Sequence, residues 1–232
     1  MDQSTSAIIL HLHYQDLWEE FKEKIVPILS DRVHLYVTVH DNQTQYYEDI
    51  VNTSTEVFVV ENRGLDVAPF LYCYNQIKDK GYHNYLKLHS KKSLHTPGVG
   101  DTWRQSLYYP LVDNYQTIQE QVQQDNTPWI LGAQHYYHDM VIEPKYHPNK
   151  LAAKPYIDQA CKILQVSDEG CFFAGTMFIL SHTYLELLFA KVELPIFYEM
   201  FEEGYTRDSL AHGMERVLGY GIHHFKGTYY TI

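Results

Sequence analysis

The segment 56-EVFVVENRGLDVAPF-70 decides how this chain is expected to fold, because an apolar run passes through a polar turn into a helix. Residues 57–60 predict a β-strand, and Gly64 permits a tight turn after it. A helix is predicted over residues 67–80, with Gly81 at its end. A strand that leads through such a turn into a helix is the repeating unit of parallel α/β sheets.

The same alternation continues on both sides of this segment. In the first half, strands are predicted at 7–14, 33–39, 57–60 and 85–88, with helices at 16–28, 43–51 and 67–80. In the second half, helices are predicted at 101–111, 115–125, 150–164 and 208–218, strands at 129–132, within 171–180 and at 223–231, and a polar aromatic loop at 135–148. The pattern predicts an α/β fold, in which a mostly parallel sheet of Rossmann type is flanked by helices. We expect a single domain over residues 1–232, with a nucleotide-binding half at about 1–100 and an acceptor half at about 101–232.

Composition limits the possible functions. The 232 residues carry a formal net charge of -11, so the broad basic surface of a nucleic-acid-binding protein is not expected. Cys73, Cys161 and Cys171 show no C-x-x-C spacing, which favours a reducing compartment. The first residues lack the basic and apolar regions of a signal peptide. We therefore expect a soluble cytoplasmic protein.

Cations collect where two predicted strands end. Arg63 follows the strand at 57–60, and Lys87, Lys91 and Lys92 lie within or just after the strand at 85–88. Ligands of open α/β sheets bind beyond the carboxyl ends of the strands. In an otherwise acidic protein, this local concentration of cations predicts one pocket for a small ligand that carries phosphate.

Individual residues suggest how such a ligand is held. The planar guanidinium of Arg63 suits phosphate or a base edge, and Asp66 can cap the following helix or accept hydrogen bonds from a ribose or base. A plain Asx-capped turn is the alternative. Strand alternation places Lys87 and His89 on one face and Leu86 and Leu88 on the other. Lys87 lies inside the strand, so we expect it to face a partner carboxylate or a phosphate, whereas Lys92 is equally compatible with a solvated loop.

A carboxylate near the C-terminus is a candidate general base or a group that binds and orients the acceptor hydroxyl. Asp208 stands at a predicted helix start, where the helix dipole favours the ionised form. Glu215 lies further along the same helix as a second candidate. The alternative is that Asp208 is a helix cap and that Glu215 and Arg216 form an ion pair.

Histidines are numerous, but no H-E-x-x-H motif is present. His11 and His13 share one face at the carboxyl end of the first strand, inside the expected cleft. Hydrogen-bonded histidines are favoured there over metal ligands. The His223–His224 pair, with His11 and His13, would be the first ligands to test if a metal were required.

Four strings in order resemble the rhamnan synthesis protein F family: NRGLDVAPF (62–70), YLKLHSKKS (85–93), GTMF (175–178) and RDSLAHGMERVLGY (207–220). Members are bacterial glycosyltransferases or glycosyltransferase domains implicated in rhamnose-containing cell-wall polysaccharide and O-antigen assembly. The resemblance implies a GT-A-like fold and a hexosyltransferase that uses a nucleotide-sugar donor such as dTDP-rhamnose or a UDP-sugar. It also implies a glycan or lipid-linked glycan acceptor, and it allows peripheral association with the inner face of the membrane or fusion to other synthase domains.

One departure from ordinary GT-A enzymes shapes the expected mechanism. Those enzymes usually end the fourth core strand in Asp-x-Asp, which holds a divalent cation, whereas this chain has KLHSKK at 87–92. Lysines can neutralise the leaving diphosphate directly, so transfer without a metal or other cofactor is expected. The expected binding residues are Asn62, Arg63, Asp66, Lys87, Lys91, Lys92, His11 and His13, and the expected catalytic residues are Asp208, His89 and Glu215.

Two other functions compete with this interpretation. A non-catalytic nucleotide- or glycan-binding module of a larger polysaccharide synthase fits the same residues. A phosphotransferase or nucleotidyltransferase is disfavoured, because paired metal-binding carboxylates are not apparent.

Overall fold

A computed structural model describes residues 5–92, 99–122, 126–139, 148–206 and 208–232. Its centre is a seven-stranded sheet with the strand order β3-β2-β1-β4-β8-β5-β9. The strands are β1 (Ser6–Leu12), β2 (Val33–Val39), β3 (Glu56–Val59), β4 (Asn84–His89), β5 (Trp129–Gly132), β6 (Tyr137–Asp139), β7 (Cys171–Phe173), β8 (Phe178–Ser181) and β9 (Thr228–Thr231). Strands β6 and β7 form a separate antiparallel pair.

The main sheet is mostly parallel. Strands β3, β2, β1 and β4 pair in parallel, as do β5 and β9, and β8 runs antiparallel to both of its neighbours. This confirms the predicted α/β class with a mostly parallel sheet. Strands from both halves of the chain belong to this one sheet, so the expected nucleotide-binding and acceptor halves are built on the same sheet.

Helices cover both faces of the sheet. They are α1 (Trp18–Ile25), α2 (Tyr47–Thr53), α3 (Val67–Ile77), α4 (Val99–Asp113), α5 (Tyr115–Val122), α6 (Pro148–Leu164), α7 (His182–Phe189), α8 (Leu194–Glu199) and α9 (Leu210–His224). One apolar core joins the sheet to α1, α2, α4 and α5, and the other joins it to α3, α6, α7, α8 and α9. None of the helices in the described ranges has the length and apolar character needed to cross a bilayer.

Alternation along the central strands decides which side chains reach the site. In β4, Leu86 and Leu88 enter the core formed with α1 and α4, as predicted, while Lys87 and His89 lie on the opposite face together with Tyr85. His11 of β1 is the register partner of His89. The polar residues of the two central strands are therefore placed side by side at the carboxyl end of the sheet.

Several predicted boundaries need correction. A 3-10 turn at Gln15–Leu17 precedes α1, so the helix predicted to start at residue 16 begins at Trp18. The strand predicted within 171–180 is two strands, because Gly175 and Thr176 adopt positive φ values of 87° and 53° and reverse the chain. Helix α9 begins at Leu210 with Ser209 as N-cap, two residues after the predicted start.

Other parts of the prediction differ in extent. The short helices α7 and α8 were not predicted, and the expected loop at 135–148 contains β6. Residues 123–125 of the predicted fifth helix, residues 140–147 of that loop, Ser93 and Arg207 lie outside the described residues.

Candidate functional site

A cleft of about 650 Å³ lies at the carboxyl ends of β1 and β4. Its lining includes seven of the predicted site residues: His11, His13, Asn62, Asp66, His89, Lys91 and Lys92. Tyr14, Leu65, Ser90, Trp103, Tyr205 and His212 complete the lining. The edge of the sheet at which the sequence predicted a ligand therefore carries a cavity.

Asp66 and Lys87 form a buried ion pair beneath the cleft. Lys87 donates from Nζ to Asp66 Oδ2 and, at 2.9 Å, to the carbonyl oxygen of Thr176. The hydroxyl of Thr176 donates to the same Asp66 oxygen at 2.5 Å. The sequence predicted a carboxylate or a phosphate as the partner of Lys87, and the structure supplies the carboxylate.

The charges of this pair follow from its surroundings. Burial opposes ionisation of Asp66, but the neighbouring His89 and Lys87 and the hydrogen bonds from Lys87 and Thr176 outweigh burial and hold the Asp66 pKa well below its usual range. Burial lowers the pKa of Lys87, and Asp66 opposes that shift. Because Lys87 is only 1% exposed and its charge is compensated by Asp66, it adds little free positive charge to the cleft.

The turn that presents Asp66 depends on Gly64. Gly64 and Leu65 both have positive φ, at 59° and 56°. A Cβ on Gly64 would lie 2.6 Å from the Cβ of Ala68, so a side chain is excluded sterically as well as by backbone conformation. Asp66 occupies the N-cap position of α3, but its side chain makes no capping hydrogen bond and binds Lys87 and Thr176 instead.

Arg63 is not among the residues that line the cleft. Its Nη1 donates to the carbonyl oxygens of Glu199 and Phe201 at 3.1 and 2.8 Å. Its Nε and Nη2 donate to the carboxylates of Glu61 and Glu203 at 3.2 and 3.0 Å. All three guanidinium nitrogens donate hydrogen bonds, so Arg63 connects the loop after β3 to the C-terminal end of α8 and the segment after it. This role differs from the predicted contact with a nucleotide.

Two lysines carry the positive charge that faces the cleft. The Lys91 ammonium lies 4.1 Å from the centre of the Trp103 ring. Lys92 pairs with Asp16 and lies 5.1 Å from the centre of the Tyr14 ring. Buried Arg104 donates to the backbone carbonyl of Lys91 at 2.8 Å, which holds the loop after β4 in place.

His89 is buried beside this ion pair and is uncharged at neutral pH. Burial lowers its pKa to about 3, with Asp66 opposing the shift and Lys87 and Lys91 adding to it. Its Nδ1 lies 3.4 Å from Asp66 Oδ2 without the geometry of a hydrogen bond. A neutral imidazole can exchange hydrogen bonds with a ligand, but it cannot neutralise a diphosphate.

The two candidate carboxylates of the C-terminal region have different surroundings. Asp208 is exposed and lies in the chain between Tyr205 and His212, two residues that line the cleft. It does not cap α9, because Ser209 holds the N-cap position and both carboxylate oxygens of Glu202 accept from the Leu210 N–H at 3.2 Å.

Glu215 supports the backbone behind the site. Its Oε1 accepts a hydrogen bond from the N–H of Gly175 at 2.8 Å, and its other oxygen pairs with Arg216. Gly175 precedes Thr176, whose carbonyl and hydroxyl hold Lys87 and Asp66. Glu215 is not among the cleft-lining residues, so the structure favours the ion-pair alternative for it.

Sequence reasoning missed several residues of the site. His40 directly follows β2 and lies against His11, with 4.8 Å between their ring centres. The rule that ligands bind beyond carboxyl strand ends would have pointed to it. Trp103 and Tyr205 come from α4 and from the segment before α9, and no local pattern marks them.

Comparison with known proteins identifies relatives of this chain and its family. The protein named "Uncharacterized protein WxcX" from Xanthomonas campestris pv. campestris strain B100 is 25% identical over 227 residues, which is 95% of this chain. The protein of the same name from strain ATCC 33913 is likewise 25% identical over 227 residues. This chain spans 32% of the length of these relatives. The sequence model described as rhamnan synthesis protein F matches residues 1–225, and the chain therefore belongs to the rhamnan synthesis protein F family, which is linked to polysaccharide synthesis.

Proposed function

We propose that this protein is a glycosyltransferase with a GT-A-like fold that binds the nucleotide-diphosphate part of a sugar donor in the cleft. The observation that carries the proposal is a cavity of about 650 Å³ at the carboxyl ends of β1 and β4 that is lined by the half-buried cations Lys91 and Lys92. Open α/β sheets bind their ligands at this edge. Family membership supplies the link to polysaccharide synthesis.

The residues that line the cleft suggest where each part of the donor binds. Lys91 and Lys92 lie over Trp103 and Tyr14, so a diphosphate at the two ammonium groups would place its base or sugar near these rings. An aromatic ring stacks on a base or sugar face, and an ammonium attracts phosphate oxygens. Asn62 lines the same cavity and is available to a ribose or base.

The chemistry expected of this arrangement is displacement of the nucleoside diphosphate from the sugar. Charge develops on the leaving diphosphate in the transition state, and fixed cations stabilise it more than they stabilise the bound donor. Lys91 and Lys92 take this role, while Asp66 and Lys87 hold the floor of the cleft rigid. Asp208 remains the proposed general base for the acceptor hydroxyl, because it is an exposed carboxylate flanked by the cleft residues Tyr205 and His212.

The sequence also predicts that transfer needs no metal ion, since lysines occupy the place of the acidic ligands of ordinary GT-A enzymes. With Lys87 compensated by Asp66 in a buried pair, that prediction now rests on Lys91 and on Lys92, whose own partner Asp16 is solvent-exposed. Rhamnose as the sugar, a glycan acceptor and a cytoplasmic location at the inner face of the membrane stay predictions of the family resemblance.

A donor screen tests the proposed function. The protein is incubated with dTDP-rhamnose and a set of UDP- and GDP-sugars, with and without an oligosaccharide acceptor, and release of nucleoside diphosphate is measured. If the protein is a glycosyltransferase, the wild-type protein should release nucleoside diphosphate from one class of donor, and the Lys91→Ala variant should release it more slowly. Binding of a donor without release in any combination would instead identify a non-catalytic binding module.

A further inference from the structure

Three histidines converge at the carboxyl ends of β1 and β2. His11 lies in β1, His13 just after it, and His40 just after β2. The ring centres of His11 and His40 are 4.8 Å apart, and those of His13 and His40 are 5.2 Å apart. One ring nitrogen from each residue can be chosen so that all three lie within 4.8 Å of one another.

Hydrogen bonds on the far side of two rings fix how these histidines point. His40 Nδ1 lies 3.1 Å from the carbonyl oxygen of Val60, which only accepts, so Nδ1 carries the proton. His11 Nδ1 lies 2.9 Å from the hydroxyl of Thr38. The Nε2 atom of His40 is then unprotonated and its lone pair is free. The same holds for Nε2 of His11 when its Nδ1–H donates to the Thr38 hydroxyl. Metal-binding histidines are oriented in this way, with the second ring nitrogen bound to a carbonyl or another polar group.

The two Nε2 atoms have no partner that accounts for their burial. Those of His11 and His40 are both buried, and neither has a hydrogen-bond partner among the described residues. Buried polar side-chain atoms are normally satisfied, and leaving one unpaired costs about 1–3 kcal/mol. Two such atoms on rings whose centres lie 4.8 Å apart indicate a ligand.

The protonation state of the cluster suits coordination. Burial lowers the pKa of all three histidines, and the positive form of His40 would further lower those of His11 and His13. Neutral imidazole is the form that binds a metal ion.

We propose that His11, His13 and His40 bind one divalent transition-metal ion of the Zn²⁺ class. Imidazole nitrogens favour such ions over Mg²⁺ or Ca²⁺, which prefer oxygen ligands. Zn–N bonds of about 2.0–2.1 Å would bring the three nitrogens to roughly 3.4 Å from one another. The side chain of His13 is exposed and can make most of this adjustment by rotation. His11 and His13 also line the cleft, so the fourth coordination position is open towards it.

This inference concerns binding of the ion and does not rest on glycosyl transfer. The metal ligands are residues other than Lys91 and Lys92, which line the same cleft and neutralise the diphosphate in the proposed reaction. Failure of either proposal leaves the other standing.

Titration with the metal itself tests the proposal. Protein without a polyhistidine tag is depleted of metal by a chelator and then titrated with Zn²⁺ by calorimetry and with Co²⁺ by visible absorption. We expect saturation at one ion per chain and the intense visible bands of tetrahedral Co²⁺. His13→Ala and His40→Ala should weaken binding at least tenfold, and Thr38→Val, which removes the partner of His11 Nδ1, by about 10–100-fold.

His83→Ala is the matched control, because His83 is exposed and lies before the start of β4, at the opposite edge of the sheet. Its affinity for Zn²⁺ should equal that of the wild-type protein. Circular dichroism identifies any variant that fails to fold. The proposal can still be tested in that case, because the Co²⁺ spectrum is recorded on the wild-type protein and substitution of the exposed His13 should not disturb folding. Absence of a tetrahedral Co²⁺ spectrum, or Zn²⁺ binding that is unchanged by His13→Ala, would overturn the proposal.

Discussion

The ammonium of Lys87 and the carboxylate of Asp66 meet beneath the cleft, although the two residues belong to different strand ends. Lys87 projects from β4, and Asp66 follows the turn after β3. Thr176, from the turn between β7 and β8, binds both partners. One ion pair therefore connects three separate segments of the chain at the floor of the site.

Breaking this pair from one side should be costly. Lys87→Met leaves Asp66 as an ionised carboxylate without its cation, and we expect a loss of about 3–5 kcal/mol in the free energy of unfolding. The Asp66→Asn/Lys87→Met double variant should lose less than the sum of the single variants, because no unpaired charge remains. Urea denaturation measures all three. Additive losses would show that the pair does not act as a unit. Lys22→Met is the control: it breaks a surface pair with Asp49 and should lower the free energy of unfolding much less.

Glu215 should affect stability through the Gly175 N–H. Glu215→Ala removes the acceptor of that hydrogen bond and should cost about 1–3 kcal/mol in the free energy of unfolding. Glu215→Gln keeps an acceptor oxygen and should stay close to wild type in both stability and turnover. If Glu215→Gln instead folds normally and loses turnover, the carboxylate has a chemical role and the original catalytic prediction for Glu215 is restored.

Asp208→Asn separates chemistry from structure at the proposed base. The amide keeps the size of the side chain but cannot take a proton, so turnover should fall by about 10²–10⁴-fold. Stability should not change, because Ser209 is the N-cap of α9. Donor affinity should also be unchanged. Asp31→Asn, at an exposed position before β2, serves as the control, and near wild-type transfer by Asp208→Asn would remove Asp208 from the mechanism.

Transfer should persist when metal ions are removed. Lys91 and Lys92 supply the charge that faces the diphosphate, so turnover in excess EDTA should equal turnover in buffer, with metal content measured in the same samples. Loss of turnover that parallels loss of metal and returns with added Zn²⁺ or Mn²⁺ would refute metal independence. It would also make His11, His13 and His40 the first residues to examine.

The sequence predicted those parts of the fold that depend on local pattern. The strands at 33–39 and 129–132 match the structure residue for residue, and alternation in β4 correctly separated Lys87 and His89 from Leu86 and Leu88. The helix α7 was missed, although Tyr184, Leu185, Leu188 and Phe189 have helical spacing. Its short apolar sequence directly follows a buried strand and offers no change in composition at the boundary.

The site was predictable where it follows from strand ends and not where it depends on packing. Seven of the expected site residues line the cleft because they lie at or just beyond the carboxyl ends of β1, β3 and β4. The partners of Arg63 could not be predicted, since the acceptors at Glu199, Phe201 and Glu203 are brought to it by the packing of α8 against α3. The same holds for Trp103, which reaches the cleft from a helix on the other face of the sheet.

The central claim is that Lys91 and Lys92 bind a nucleoside diphosphate in the cleft, and calorimetric titration with UDP and dTDP tests it most directly. The wild-type protein should bind at least one of them at one site per chain. Lys91→Ala and Lys92→Ala should each weaken binding by about 1.5–3 kcal/mol, the scale of a hydrogen bond to a charged group. Lys162→Ala, at an exposed position of α6, should bind as the wild type does. Wild-type affinity in the Lys91→Ala/Lys92→Ala double variant, or no binding of either nucleotide to the wild-type protein, would contradict the claim.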